Sequence, residues 1–166
     1  MITGNIFLGE NVFIDPSSQV NHVIIGSNCK IAGINRIFGS VKDLLLIGES
    51  CYIGPFCVLE GFNSKVTIGN NVSIAQRVTV ISGSSPNASE KLQRIFPLSV
   101  GPIEIGEHSW IGAHSIIMPN VTLGRFCVVA ANSFVNKSFS DYSIIGGSPA
   151  KLIRTLNEEE IKRFND

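Results

Sequence analysis

Charge is scarce in this chain, and it leans neither way. Only 16% of the residues are Asp, Glu, Lys or Arg, and thirteen bases stand against thirteen acids. Such a balance supplies no basic field, which argues against nucleic acid or an anionic membrane as the principal partner and for small, locally recognised ligands. Long apolar runs are missing too, since no window approaches the roughly 18 apolar residues that a membrane span needs. The opening MITGNIFLGENVF has no basic stretch leading into an unbroken apolar one. The expectation is a cytoplasmic protein with no leader and no membrane span. Tryptophan occurs once, at Trp110, and histidine three times. Without a leader, the four cysteines can be structural, redox-active or metal-binding, and only their positions decide.

What is present is apolar and periodic. Hydrophobic residues make up 44% of the chain, a lean polar surface that is expected to be buried in part between subunits. An aliphatic residue recurs every six positions, a period that is neither 2 nor 3.6. The blocks read LGENVF from Leu8 and IDPSSQ, IGSNCK from Ile25 and IAGINR, IGESCY from Ile47 and IGPFCV, IGNNVS from Ile68 and IAQRVT. An unbroken run then starts at Ile105 with IGEHSW, IGAHSI, IMPNVT, LGRFCV and VAANSF, ending at Phe134, for thirteen blocks in register. A chain that extends for a few residues and then turns, repeatedly, closes three sides into a triangular coil. The fold expected is therefore an all-β solenoid, a parallel β-helix over residues 1–155 with a short helix over 156–166.

Within each block the first residue (Ile25, Ile47, Ile53, Ile68 and their equivalents) points inward and stacks on the next coil, so that coils contact only their neighbours. The second is commonly Gly, which suggests a corner conformation that a Cβ obstructs. The fifth faces the narrow interior and must be small. Cys29, Cys51, Cys57 and Cys127 all fall on this fifth position, which reads them as reduced core residues rather than a disulfide or metal set. Register breaks at Val20–Ile24, Ile37–Leu46, Leu59–Thr67 and, by far the largest, at Ile81–Pro102. An excursion of that length, 82–102, points to a covered site. In the C-terminal TLNEEEIKRFND, Thr155 is expected to cap a helix with Glu158 in the N3-like place. Glu158, Glu159 and Glu160 favour its start, and Lys162 and Arg163 its end. Leu156, Ile161 and Phe164 are positioned to dock it.

The stretch IGEHSWIGAHSIIMPNVTLGRFCVVAANSFVNKSFSDYSIIGGSPAKLIR resembles the C-terminal half of the hexapeptide-repeat acetyltransferases. These include the galactoside and maltose O-acetyltransferases, the streptogramin and chloramphenicol acetyltransferases of this fold, and the colanic-acid type O-acetyltransferases. The match is tight over about fifty residues, and W-I-G-A followed by GG-S-P-A-K-x-I-R is its specific part. The resemblance implies a left-handed β-helix assembled as a homotrimer, with acetyl-CoA as acyl donor in a groove between adjacent prisms. It implies further that Trp110 lines the site and that backbone at Ala113 and Ala131 meets the pantetheine amides. Asn136 and Lys137 match a Thr-Lys pair near the nucleotide end, and Lys151 and Arg154 match two basic residues there, where phosphates need cations and donors. Read by themselves, the same basic residues are equally solvated charges, and an outward Trp is equally a packing residue.

The family transfers the acetyl group directly, with a histidine in the excursion as general base and a backbone amide stabilising the oxyanion. That histidine commonly precedes a proline. Here the text is VTVISGSSPNASEKLQRI, and Ser85 precedes Pro86. Serine near neutral pH accepts no proton unaided, so three readings stay open: another base such as His108, His114 or Glu90 acting across an interface, a fold that has lost catalysis, or a deliberate substitution. His108 and His114 each hold the fourth place of consecutive blocks, where solvated corner residues are ordinary. A three-histidine zinc site would need His22 as well, far from both, and no metal site is expected. The leading expectation is a CoA-dependent acyltransferase that acetylates a hydroxyl or amine of a sugar or polysaccharide precursor. The short N-terminal region, lacking the extra helices of the maltose and galactoside enzymes, favours polysaccharide modification. The rival is a catalytically silent trimeric β-helix that binds or scaffolds a partner.

Overall fold

The structure, a computed structural model, describes residues 4–164. It is a left-handed parallel β-helix with three faces. Face one stacks Ile6–Leu8, Val23–Ile25, Leu45–Ile47, Val66–Ile68, Ile103–Ile105 and Thr122–Leu123. Face two stacks Phe13–Ile14, Lys30–Ile31, Tyr52–Ile53, Ser73–Ile74, Trp110–Ile111, Val128–Val129 and Ser143–Gly147. Face three stacks Gln19–Asn21, Arg36–Phe38, Val58–Glu60, Thr79–Ile81, Ile116–Ile117 and Phe134–Val135. Corner one joins faces one and two, corner two joins faces two and three, and corner three returns the chain to face one.

The six-residue period follows directly from this geometry. On face two, Ile31, Ile53, Ile74, Ile111 and Val129 pair in register up the prism, and all are buried. Apolar columns of this kind form one core along the axis, with each coil bonded to the next by parallel backbone hydrogen bonds.

The corners turn at the fourth position of the block, where Asn28, Ser50, Asn71, His108 and Phe126 at corner one all have φ between 55° and 61°. The conformation that glycine would ease is therefore taken by Asn, Ser, His and Phe. The glycines of the second position serve a different need. A Cβ on Gly48 would lie 2.7 Å from the Gly69 carbonyl carbon, and one on Gly106 would lie 2.5 Å from the Gly124 carbonyl. Glycine is required there because stacked coils approach backbone to backbone, and the expectation of a glycine-specific corner conformation is corrected accordingly.

All four cysteines are free and buried. Each thiol donates to a carbonyl of the succeeding turn: Cys29 to Gly48 at 3.0 Å, Cys51 to Gly69 at 3.1 Å, Cys57 to Ala75 at 3.1 Å and Cys127 to Ser140 at 3.2 Å. Burial pushes Cys51 up to about 11, so the sulfur stays a thiol. Ser109 and Ser115 use the same fifth position to donate to Gly124 and Ala130. The fifth position thus favours a small side chain that can also donate, although Val72, Val78 and Val121 fill it as well.

Every register break falls at corner three. The breaks range from a turn at His22 through segments 39–44 and 61–65 to the much longer 82–102, and they rejoin face one in register, Val23 opposite Leu45 and Val66 opposite Ile103. Residues 82–102 are built as a two-stranded antiparallel base, Gly83–Ser84 with Ser99–Val100, carrying α1 (Glu90–Gln93), which Ser89 caps by accepting from the Leu92 amide.

The coil continues past Phe134, where the unbroken run of blocks ends. Ser143–Gly147 continues face two, and Ala150–Thr155 folds back on it antiparallel. Thr155 is still a strand residue opposite Ser143, so it cannot cap the helix. The cap is Asn157, in a reciprocal capping box with Glu160, and α2 runs Glu158–Lys162; of the expected helix 156–166, residues 165 and 166 lie outside the described residues. Phe164 stacks on Phe126 at 4.5 Å, and His108 stacks on the same ring at 4.7 Å, docking the C-terminus on corner one.

Candidate acyl-transfer site

At corner three the stacked insertions enclose an open, polar cleft of about 440 Å³ lined by Glu60, Asn63, Gly83, Ser84, Ser85, Asn87 and Leu98. Its floor is the end of face three, where Glu60 lies opposite Ile81 in the next coil and Phe38 in the previous one. Ser82, fully buried at the foot of the excursion, accepts from the backbone amides of Asn63 and Ser64, both at 3.2 Å. Gly83 follows, and a Cβ there would lie 2.4 Å from Asn63 Nδ2, so the strand leaving face three must be bare to lie against the Asn63 turn.

Ser85 lines this cleft, and its hydroxyl donates to Asn87 Oδ1. The surrounding turn is held by Asn87 N to the Ser85 carbonyl (3.0 Å) and by Gln93 Nε2 to the Pro86 and Asn87 carbonyls (3.2 and 3.1 Å). Ser85 is thus fixed and polar, but a neutral hydroxyl is too weakly basic to serve as the general base. The one ionisable side chain among the cleft residues is Glu60. Burial pushes its carboxyl above the ordinary carboxylate range, and among the described residues nothing donates to it. Beside it Phe38 and Phe62 stack at 5.8 Å, with the Arg36 guanidinium over the Phe38 ring at 5.6 Å.

The sequence reading missed Glu60. Its signal was available: a carboxylate in VLEGF where face three enters the Leu59–Thr67 break. Only coil stacking brings it opposite Ile81, at the foot of the excursion. The other candidate bases stand elsewhere. Glu90 is exposed at the start of α1, His108 is engaged with Phe126 at corner one, and His114 sits on corner two with φ 60°.

The residues singled out for the acyl donor occupy two separate edges. Trp110 is 55% exposed on face two, between Ser73 and Val128. The strand leads to Ala113, whose carbonyl accepts from the Asn132 amide at 2.8 Å, and Ala131 lies in the coil above. At the top of this edge a Cβ on Gly146 would lie 2.9 Å from the Ala130 methyl, and Lys151 pairs with Gly146. Ala113 and Ala131 thus stack in the upper coils of corner two, with Lys151 on the strand just above them. Asn136 and Lys137 follow face three toward corner three, with the Lys137 ammonium 5.5 Å from the Phe139 ring.

Arg154 is committed elsewhere. Its guanidinium donates twice to Glu160, at 2.7 and 2.8 Å, while Glu160 also accepts from the Asn157 amide at 2.9 Å. Those bonds hold Glu160 at about 2, below its ordinary 4.5. A carboxylate lowered on folding stabilises above its unfolded value, and that contribution fades as pH falls through the folded one. The Glu160 side-chain resonance is accordingly expected to titrate near pH 2 by NMR, and the capping box to open between about pH 4.5 and 2. Titration near 4.5 would show that the pair does not persist in solution.

Comparison with known proteins agrees with this architecture. The model of the bacterial transferase hexapeptide family (six repeats) matches residues 102–137. A protein of Saccharomyces cerevisiae named "Putative acetyltransferase" is 30% identical over 153 residues, covering 83% of this chain and 76% of its own length. The chain belongs to the hexapeptide-repeat acetyltransferase family. Galactoside O-acetyltransferase of Escherichia coli strain K12 is also 30% identical over 92% of this chain, and the chain spans 65% of that enzyme's length. Among solved structures, a mutant of AntD, an N-acyltransferase from Bacillus cereus in complex with dTDP and coenzyme A, superposes with a TM-score of 0.81 at 25% identity, covering 95% of this chain and 88% of its own. Galactoside acetyltransferase in complex with coenzyme A gives 0.58 at 27% identity, over 93% of this acetyltransferase-family chain and 67% of its own. No helix among the described residues is long and apolar enough to cross a membrane.

Proposed function

We propose that this protein transfers an acetyl group from acetyl-CoA to a hydroxyl or amine of a sugar, as a homotrimer. The observation that carries the reading is the polar cleft at corner three, built by the long excursion on a prism that superposes on acyltransferases holding coenzyme A. The acyl donor needs cations for its phosphates and bare backbone for its amide-bearing arm. Lys137 and Lys151 are exposed and, among the described residues, in no ion pair; corner two offers Ala113 and Ala131 beside Trp110. Trp110, Ala113, Ala131 and Lys151 lie toward a different edge of one prism from Ser85, so a second copy would complete the groove. Apolar side chains without partners support that assembly: Ile95 and Phe96 in the excursion are 69% and 62% exposed, and Phe7 on face one is 55% exposed.

In the cleft, Ser85 and Asn87 would orient the acceptor, and a backbone amide would stabilise the developing oxyanion. Ser85 in place of a histidine favours one other reading, a silent β-helix that binds a ligand without turnover. Titration calorimetry with acetyl-CoA, followed by assay of CoA release with sugar acceptors, tests both. Binding with acceptor-dependent release is expected. No binding would end the acyltransferase reading, and binding without release for any acceptor would favour the silent one. Sedimentation as a monomer would remove the shared groove.

A further inference from the structure

Resting on that reading of the cleft, we infer that the acceptor group is an amine arriving as its ammonium ion, and that the Glu60 carboxylate binds this ion and takes its proton. Glu60 is the only ionisable group lining the cleft, and no donor among the described residues meets its carboxylate. Its carboxylate oxygens are open to the cleft rather than sealed in the protein, and a cationic ligand can supply the partner that no side chain provides. Arg36 lines, together with Glu60, the hollow beside the cleft, where its guanidinium lies over the Phe38 ring and, among the described residues, makes no ion pair with Glu60. Asn63, Ser84, Ser85 and Asn87 around it are neutral hydrogen-bonding groups suited to sugar hydroxyls.

Proton affinity favours nitrogen over oxygen. An ordinary glutamate near 4.3 faces a primary ammonium near 10.4, a gap of about six, whereas a water-like hydroxyl near 15.7 is about eleven away. Burial of Glu60 narrows both gaps, and the smaller one, to the ammonium, asks less of a carboxylate base. In the step, Glu60 removes one proton from the ammonium and leaves a neutral amine. The nitrogen lone pair forms a C–N bond to the thioester carbonyl, and the C–S bond breaks. The second N–H proton goes to the departing thiolate, giving the amide and CoA thiol, and Glu60 returns its proton to water.

The test uses the full chain and two sugar pairs that differ only in amino against hydroxyl: glucosamine with glucose, and dTDP-4-amino-4,6-dideoxyglucose with its 4-hydroxy counterpart. Without acyl donor, the amino member of at least one pair is expected to bind tenfold or more tightly than its hydroxyl partner, and Glu60→Gln to abolish the preference while Glu60→Asp keeps part of it. With acetyl-CoA, Glu60→Gln is expected to lower kcat for the amine about 10²- to 10⁴-fold with acetyl-CoA affinity and the melting curve unchanged. Equal binding of amine and hydroxyl in both pairs, or a preference that survives Glu60→Gln, overturns the inference. An amine preference that depends on Glu60 in a protein that does not bind acetyl-CoA supports the ammonium site and rejects acetyl transfer, which separates the two failures.

Discussion

Acetyl-CoA binding is expected to weaken about 100-fold when Lys137 and Lys151 are both replaced by alanine. Phosphate contacts of this kind are charge-assisted, and each is worth about 1.5 kcal/mol when lost, close to tenfold per lysine. Both side chains are exposed, and their removal leaves no buried group unpaired, so thermal unfolding should be unaltered. Affinity of the parent should also fall as salt rises, and the double variant should respond less, because screening acts on the charges that were removed. Calorimetry at two salt concentrations measures both effects. Parent-like binding by the double variant would place the donor's phosphates elsewhere on the prism. Arg154→Ala should matter less for binding, since Glu160 already holds that guanidinium.

The largest stability effect is expected at Ile111, where alanine should lower the unfolding free energy by about 2–5 kcal/mol. Ile111 is fully buried, with Ile74 in register below and Val129 above. The coils are locked by backbone pairing and by glycines that already touch neighbouring backbone, so the prism cannot shrink around the deleted atoms. Ile14, in the first coil and only partly buried, has a neighbour on one side alone. The same change there should cost clearly less, because a solenoid's stability is a sum over adjacent coils. Urea unfolding of both variants decides the matter, and equal losses would argue against interior packing as the source of stability.

Most of the architecture is legible in the sequence because a six-residue period repeats one local decision. Ile25, Ile47 and Ile68 announce their columns, and Cys29, Cys51, Cys57 and Cys127 declare themselves interior by register. The four breaks are equally visible as interruptions. Less legible were the local devices. Glycine at the second position looked like a corner requirement, whereas the left-handed backbone falls to Asn71, His108 and Phe126, and the contact that excludes a Cβ from Gly106 comes from Gly124, eighteen positions away. The C-terminal cap was placed two residues early because Thr155 satisfies the capping pattern but is held in a strand by Ser143.

For the site the division is sharper. The sequence by itself determined that the chain would wind as a solenoid, that its cysteines would be interior, and that Ser85 stands in the excursion where the family resemblance places a histidine. Only the tertiary structure decided that all the breaks share corner three, and that Glu60, opposite Ile81, comes to line one cleft with Ser85. The reason is the winding itself. A parallel coil places residues about one full turn apart into contact, and an insertion of variable length changes that separation without altering the register on either side. A carboxylate and a serine from different coils therefore meet at a distance in sequence that no local pattern encodes.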